Sequence, residues 1–142
     1  MQRGATLVEL AIVLTIVGII MAIALPRAGD FLDRLAVNRS AGELASFYQR
    51  ARFAAIFRSQ RVRIEFAEDS LRATFEGVGD STFLVWPGPA RHRVALTTSR
   101  DVIRVHPNGF GWGGANTKLV VRRGIAAESL TTSRLGRLKR WR

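Results

Sequence analysis

The sequence predicts an α+β protein in which one long N-terminal helix packs on a small, mostly antiparallel β-sheet domain. Three observations predict this fold. An apolar run opens the chain, apolar residues at helical spacing follow it, and short alternating segments between Gly and Pro clusters fill the rest. Of the 142 residues, the helix leaves about 80 for a globular body, which is enough for one domain.

The apolar run from Ala5 to Leu25 is long enough to cross a bilayer. It contains 21 residues, of which the polar members are Thr6, Glu9 and Thr15. At 1.5 Å per residue it spans roughly 31 Å, close to the thickness of the hydrocarbon core. A cleavable secretory signal would be shorter and would not carry an acid near its start. A buried soluble helix would need a larger body to cover it. We therefore expect a transmembrane helix over residues 5–28.

Glu9 is the one charged residue in this run. A carboxylate deep in hydrocarbon costs about 2.5–3.5 kcal/mol on insertion scales, so its presence suggests a basic partner on a neighbouring subunit. The alternative is that the side chain reaches the interface with water. The spacing leaves both interpretations open. Arg3 precedes the run, and the positive-inside rule then places the N-terminus in the cytoplasm.

Residues 29–58 are predicted to continue the helix as an amphipathic half. We expect Pro26 to kink the helix or loosen one turn rather than to end it. Apolar residues recur at spacings of three and four and form one stripe: Val37, Ala41, Leu44, Tyr48, Ala51 and Ala55. Polar residues lie on another face: Arg39, Glu43, Ser46 and Arg50. The stripe is interpreted as the face that packs on the sheet, with a coiled-coil seam as the alternative.

Residues 59–133 are predicted to form the β-rich domain. Alternation predicts a hairpin of Arg61–Phe66 and 71–76 around a turn at Glu68-Asp69-Ser70. Further short strands are predicted at Thr82–Trp86, His92–Thr97, Val102–Val105, Lys118–Arg122 and Glu128–Ser133. The glycine-rich stretch Gly109–Gly114 lacks the Lys-Ser/Thr ending of a phosphate loop, so it is interpreted as a flexible connection.

Composition narrows the function. The chain has 22 basic and 11 acidic residues, a formal net charge of +11, which favours anionic partners such as nucleic acid, phospholipid headgroups or acidic proteins. It has no cysteine, which excludes disulfides and thiolate metal sites. His92 and His106 lack metal-ligand spacing, and no nucleophile motif is visible. We expect neither a metal, a cofactor nor an enzymatic activity.

Residues 134–142 are predicted to form a basic C-terminal tail. The segment has no acid, and it carries five cations and one indole: Arg134, Arg137, Lys139, Arg140, Arg142 and Trp141. Arginine contacts phosphates bidentately, and an indole can stack on an exposed base. The segment is therefore a candidate DNA-binding site. The alternatives are a solvated tail and adhesion to anionic headgroups.

The residues around Glu9 carry a family resemblance. The string from Arg3 to Leu10, Arg-Gly-Ala-Thr-Leu-Val-Glu-Leu, resembles the class III signal of type IV pilins and type II secretion pseudopilins. Pro26 is similar to the proline that such helices carry, whereas Ala5 stands where Phe is usual. The resemblance implies that a prepilin peptidase cleaves the chain after Gly4 and so removes the leader peptide, residues 1–4. It also implies that the new N-terminal residue, Ala5, is N-methylated. It also implies that Glu9 pairs with the amino terminus of a neighbouring subunit during assembly.

The body resembles the GspH/FimT family through Pro107-Asn108-Gly109 and Gly136-Arg137-Leu138-Lys139-Arg140. The resemblance implies a subunit anchored in inner-membrane lipid, with a periplasmic body, that joins major and other minor pilins in a filament. In the FimT branch it implies a minor pilin that binds DNA during natural transformation through Arg137, Lys139 and Arg140. The supporting residues are Arg134, Trp141 and Arg142. In the GspH branch it implies a structural minor pseudopilin of type II secretion without a nucleic-acid role. The net charge favours the FimT branch.

Overall fold

The structure is a computed structural model that describes residues 6–67, 70–77, 79–112 and 116–141. Helix α1 runs from Leu7 to Phe57 and continues through Pro26, as predicted. The chain divides into two compact units, one up to Leu32 and one from Asp33 onward. In the first unit the apolar side chains of α1 are exposed, and the helix is long and apolar enough to cross a membrane by length and composition.

Among its described residues, the second unit contains the rest of α1 and nine strands. A short 3₁₀ helix, Pro89–His92, lies between the third and fourth strands. The strands are β1 (Arg61–Phe66), β2 (Leu71–Glu76), β3 (Ser81–Trp86), β4 (Ala95–Thr98), β5 (Val102–Val105), β6 (Gly111–Trp112), β7 (Thr117–Arg123), β8 (Ala126–Thr132) and β9 (Leu138–Trp141).

The strands form two antiparallel sheets. The first sheet has the order β3-β2-β1-β5-β6, and the second has the order β4-β7-β8-β9. The predicted hairpin is present, because β1 pairs with β2 from Arg61↔Glu76 to Phe66↔Leu71. Its turn residues Glu68 and Asp69 lie outside the described residues. The α+β fold with a long helix on antiparallel sheet is therefore confirmed, with two sheets in place of one.

The predicted stripe of α1 is the helical contribution to the core. All six of its members are buried, and Ser40 and Phe47 are buried beside them. They join strand residues of both sheets in one hydrophobic cluster that includes Ile64, Leu119 and Leu130. The helix thus covers both sheets at once, which explains why its apolar stripe is wider than a narrow coiled-coil seam.

One predicted segment differs from the structure at the start of the fourth strand. The strand predicted at His92–Thr97 begins at Ala95, and His92 ends the 3₁₀ helix. Pro89 occupies the start of that helix, where its fixed φ is tolerated, and Arg93 then adopts a left-handed φ of 56°. This residue breaks the alternation that the sequence pattern had extended too far towards the N-terminus.

Two short strands were missed. The glycine-rich stretch predicted as a flexible connection contains β6, which pairs with β5 through Arg104↔Trp112 and Val105↔Gly111. Residues 113–114 of that stretch lie outside the described residues. The segment predicted as a basic tail contains β9, an edge strand paired with β8. Neither strand has the run of β-branched residues on which a strand prediction depends.

Replacing Leu44 by alanine is expected to lower the free energy of unfolding by about 3 kcal/mol. The Leu44 side chain is fully buried beneath the sheets, so its removal loses transfer energy and leaves a cavity. Chemical denaturation of the protein in mild detergent, followed by circular dichroism, measures the change. Ser46→Ala, on the exposed face of α1, is the control and should change stability by less than about 0.5 kcal/mol. Equal effects of the two changes would contradict the assignment of the core face.

Candidate assembly helix and nucleic-acid interface

The N-terminal end of α1 is closed by a reciprocal pair of hydrogen bonds. The Glu9 backbone N–H donates to Thr6 Oγ1 at 3.2 Å, and the Thr6 N–H donates to Glu9 Oε2 at 3.5 Å. This is a capping box, which satisfies two of the free N–H groups at a helix start. It directs the Glu9 carboxylate towards the N-terminal end of the helix, where the helix dipole favours a negative charge.

The other polar side chain in the membrane-length part of α1, Thr15, has a hydrogen-bond partner within the helix. The Thr15 hydroxyl donates to the Ala11 carbonyl at 2.8 Å, a bond that lowers the cost of placing a hydroxyl in lipid. Glu9 is the one charged residue between Thr6 and Pro26 in the sequence. Its exposed carboxylate remains able to accept further bonds from a partner.

The C-terminal segment begins with a tight turn between β8 and β9. The Ser133 carbonyl accepts from the Gly136 N–H at 2.9 Å, and the Ser133 N–H donates to the Arg137 carbonyl at 2.9 Å. Gly136 has a φ of 72°, and a Cβ there would collide with the Gly109 carbonyl and with Arg52. The glycine of the Gly-Arg segment is thus required by backbone conformation and close approach. Arg134 is exposed within this turn.

Alternation along β9 then separates its basic residues. Arg140 points inward, where its Nε donates to Glu128 Oε1 at 2.6 Å and its guanidinium also donates to the Asn38 side chain at 2.9 Å. Glu128 is 5% exposed and lies on the buried face of β8. Arg140 therefore neutralises a buried carboxylate and joins β9 to α1. It is not a free cation available to a ligand.

Lys139 and Trp141 project from the opposite face of β9. The Lys139 ammonium lies 3.7 Å from the centroid of the Trp141 ring, and the Trp141 indole N–H donates to Thr131 Oγ1 at 3.1 Å. Arg137 is exposed and precedes Leu138 by one residue, so it continues the same outward alternation. The cation–π contact and the indole hydrogen bond hold this end of the strand in place.

Strand register brings two more cations to this face. Thr131 lies opposite Lys118 on one side and Lys139 on the other, so these three residues form a row across β7, β8 and β9. Arg122 lies on the same face of β7, opposite Ala95 of β4 and Ala127 of β8. We call the surface formed by Lys118, Arg122, Arg137 and Lys139, with Trp141, the outer basic face.

The outer basic face carries no acid among the described residues of its sheet. The other outward positions of β4, β7 and β8 are small or uncharged: Ala95, Thr97, Val120, Ala127, Ser129 and Thr131. The carboxylate of this sheet, Glu128, is on the inner face. Within the part of the chain that the structure describes, none of the four cations of the face forms an ion pair, so their positive charges stay available.

Both histidines contact other side chains of the folded domain. The Glu43 carboxylate lies 3.1 Å from His92 Nε2 and 3.1 Å from Arg39 Nε, which ties the 3₁₀ helix to α1. Burial raises the pKa of Glu43, but the hydrogen bonds and charges of His92 and Arg39 outweigh burial and leave the pKa below its ordinary value. His106 stacks on Trp112 at 4.8 Å. The described residues contain no group of three or more His, Cys, Asp or Glu placed to hold a metal.

Comparison with known proteins finds similarity to pilins. Residues 1–25 match the prokaryotic N-terminal methylation motif. A fimbrial protein of Pseudomonas aeruginosa is 31% identical over 100 residues, 70% of this chain and 62% of that protein. The type IV major alpha-pilin of Moraxella bovis is 49% identical over 45 residues, 32% of this chain and 28% of that protein. The chain thus spans less than two thirds of the length of these relatives.

The fold agrees with the sequence matches. The crystal structure of the type IV minor pilin FimU of Pseudomonas aeruginosa superposes with a TM-score of 0.64 at 15% identity, over 75% of this chain and 88% of FimU. At that identity the match establishes the fold. The chain is similar to type IV pilins in sequence and has a pilin-like fold.

In this pilin-like protein the matched motif includes Gly4, Ala5 and Glu9. Gly4 and Ala5 lie outside the described residues, so cleavage after Gly4 and methylation of Ala5 stay predictions. The pairing of Glu9 with a neighbouring amino terminus also stays a prediction. The capping box adds a role within the chain, because Glu9 already stabilises the start of its own helix.

The residues that form the candidate basic site of the pilin-like protein differ from those predicted from the sequence. Arg137, Lys139 and Trp141 lie together, Arg134 is close by in the turn, and Arg142 lies outside the described residues. Arg140 belongs to the inner face. Sequence reasoning missed Lys118 and Arg122. The period-two alternation of Thr117–Arg123 places both on one strand face, but only the pairing of β7, β8 and β9 puts that face on the same side of the sheet as Lys139.

Replacing Arg140 by glutamine is expected to destabilise the pilin-like protein by about 2 kcal/mol, whereas Lys139→Gln, which removes an exposed cation–π contact, should change stability by less than about 1 kcal/mol. The first change leaves the Glu128 carboxylate buried without its ion pair. The second removes an exposed ammonium. Urea denaturation at neutral pH compares the two neighbours directly. Equal stabilities would show that Arg140 does not support the fold through Glu128.

Proposed function

We propose that this pilin-like protein is a minor type IV pilin whose outer basic face binds DNA without strong sequence preference during DNA uptake. In this proposal α1 holds the precursor in the bacterial inner membrane with the N-terminus cytoplasmic and the body periplasmic. A prepilin peptidase cleaves after Gly4, and the subunit then joins other pilins in the filament. The observation that carries the DNA-binding proposal is the row Lys118–Thr131–Lys139, which lies on a face without acids among the described residues.

The dimensions of the outer basic face suit a phosphate backbone. Lys118 and Lys139 are two strands apart, which corresponds to about 10 Å between their backbones. Lys118 and Arg122 are four residues apart on β7, which corresponds to about 14 Å. Because duplex DNA rises about 3.4 Å per base pair, a face of this size covers roughly four base pairs.

The uncharged residues of the face suit the same ligand. Thr131 and Ser129 carry hydroxyls that can bond phosphate or sugar oxygens, and the small side chains leave the sheet surface flat. Trp141 is 49% exposed, which leaves part of its indole free to stack on a base or sugar. These contacts do not read base edges, so they support binding with little sequence preference.

Measurement of DNA affinity against salt tests the proposal. The full chain, in neutral detergent, is titrated onto a short fluorescent duplex at several salt concentrations. If the four cations of the outer basic face each neutralise one phosphate, the slope of log affinity against log salt should be about −3.6. Absence of binding at micromolar protein and low salt would contradict the DNA-binding role and leave a purely structural subunit, as in a type II secretion pseudopilus.

A further inference from the structure

The edge strand β3 is unlike the other edges of the two sheets. At six residues it is longer than β4 or β9, with four each, and than β6, with two. Its residues carry no charge, and Phe83 and Val85 are exposed. Proteins usually protect such an edge with charges, prolines or bulges, because its free backbone groups can pair with another chain. A register shift opposite Ala73 and Thr74 disturbs the start of β3 and leaves its end, Leu84–Trp86, regular.

A groove runs beside the regular end of β3. Its walls come from α1, from β3 and from the 3₁₀ helix, and its volume is about 260 Å³. Phe47 and Trp86 form an apolar floor, with ring centroids 6.3 Å apart. Ligand pockets for drug-sized molecules usually measure about 300–1,000 Å³, so this groove is too small for such a ligand. It has room for one or two side chains of an added strand.

The charges at the rim of the groove are unbalanced. Arg50 and Arg91 line it, are exposed, and form no hydrogen bond or ion pair with the part of the chain that the structure describes. Glu43 also lines the groove, but its carboxylate is already held by His92 and Arg39. The open charge of the groove is therefore positive, and it favours an occupant that carries a carboxylate.

We propose that β3 accepts an extended segment of another protein chain, in which apolar residues alternate and at least one Asp or Glu is present. The segment adds to the free edge of β3 by backbone hydrogen bonds, as in other cases of strand addition. Its inward side chains enter the groove against Phe47 and Trp86, and its carboxylate lies between Arg50 and Arg91. This surface is separate from the outer basic face, which belongs to the other sheet.

A charge exchange tests the proposal with synthetic peptides. The probe is a fluorescein-labelled peptide of alternating valine and threonine with one central glutamate, added to the full chain in neutral detergent. Fluorescence anisotropy should show saturable binding to the unchanged protein. The double change Arg50→Glu and Arg91→Glu should weaken that binding at least tenfold and should create binding of the same peptide with lysine in place of glutamate. The matched control Arg34→Glu and Arg100→Glu changes the net charge equally on exposed residues away from the groove and should leave binding unchanged.

Hydrogen exchange separates strand addition from general attraction. Saturating peptide should slow amide exchange within residues 81–86 of the unchanged protein, because the free edge becomes hydrogen-bonded. Binding without this slowing, or equal losses in the groove and control variants, would overturn the proposal. Self-association of the chain that the Arg50→Glu and Arg91→Glu change abolishes would also overturn it, since the occupant would then be a second copy of the same chain.

Discussion

Glutamine at all four cations of the outer basic face is expected to weaken DNA binding about a thousandfold at 0.1 M salt. Relative to 1 M salt, each phosphate contact adds about 0.9 log unit of affinity at 0.1 M salt, so four contacts add about 3.6 log units, which corresponds to a loss of at least a thousandfold when they are removed. The four side chains are exposed and form no ion pair with the described residues, so their replacement should leave the fold intact. Mobility shift on a short duplex measures the loss, and circular dichroism checks the fold.

The matched control for this change removes the same charge from another surface. Glutamine at Arg34, Arg72, Arg91 and Arg100 lowers the net charge equally, and these exposed residues form no ion pair within the described part of the chain. Binding should then fall far less than a thousandfold. If both variants lost the same affinity, DNA would be held by the overall charge of the protein and not by a defined face.

Glu9→Ala is expected to leave the protein in the membrane and to reduce its incorporation into filaments at least tenfold. Removing the charge makes the helix more apolar, so membrane insertion should persist. An ion pair at 4 Å is worth about 4 kcal/mol at an effective dielectric constant of 20, so loss of the pairing with a neighbouring amino terminus should impair assembly strongly. Immunoblots of sheared filaments and of membrane fractions measure the distribution.

Two further variants distinguish loss of the intersubunit ion pair from loss of the capping box. Thr15→Ala removes a polar group whose hydroxyl already bonds within the helix, so incorporation should stay normal. Thr6→Ala weakens the capping box while it keeps the carboxylate, and it should impair assembly less than Glu9→Ala. Normal incorporation of the Glu9→Ala protein would contradict the pairing role and leave helix capping as the function of this residue.

The elements predicted best from the sequence are those in which apolar residues recur at a regular spacing. The stripe from Val37 to Ala55 recurs at helical spacing, and all of its members are buried. Alternation gave β1, β2 and β5 their observed bounds, since each places apolar residues on one face. By contrast β6 has two residues and β9 has the sequence Leu-Lys-Arg-Trp, and both are strands because a neighbouring strand pairs with them.

The candidate DNA-binding site was predictable in part for the same reason. Composition located a cluster of cations near the C-terminus, and Arg137, Lys139 and Trp141 stay within the site. A segment interpreted as a tail has no inner and outer face, so Arg140 could not be separated from its neighbours. Lys118 is distant in sequence and reaches the site through the pairing of β7 with β8 and of β8 with β9.

Lysine footprinting tests the central claim most directly, because the chain has two lysines and both lie on the outer basic face. The protein in neutral detergent is acetylated with and without saturating duplex DNA, and mass spectrometry reports the extent of modification at Lys118 and Lys139. We predict that DNA slows acetylation of both lysines together, while a lysine-containing peptide that does not bind DNA, added to each reaction, serves as the reference. Lysines that react equally fast with and without bound DNA would contradict the assignment of this face as the DNA-binding site.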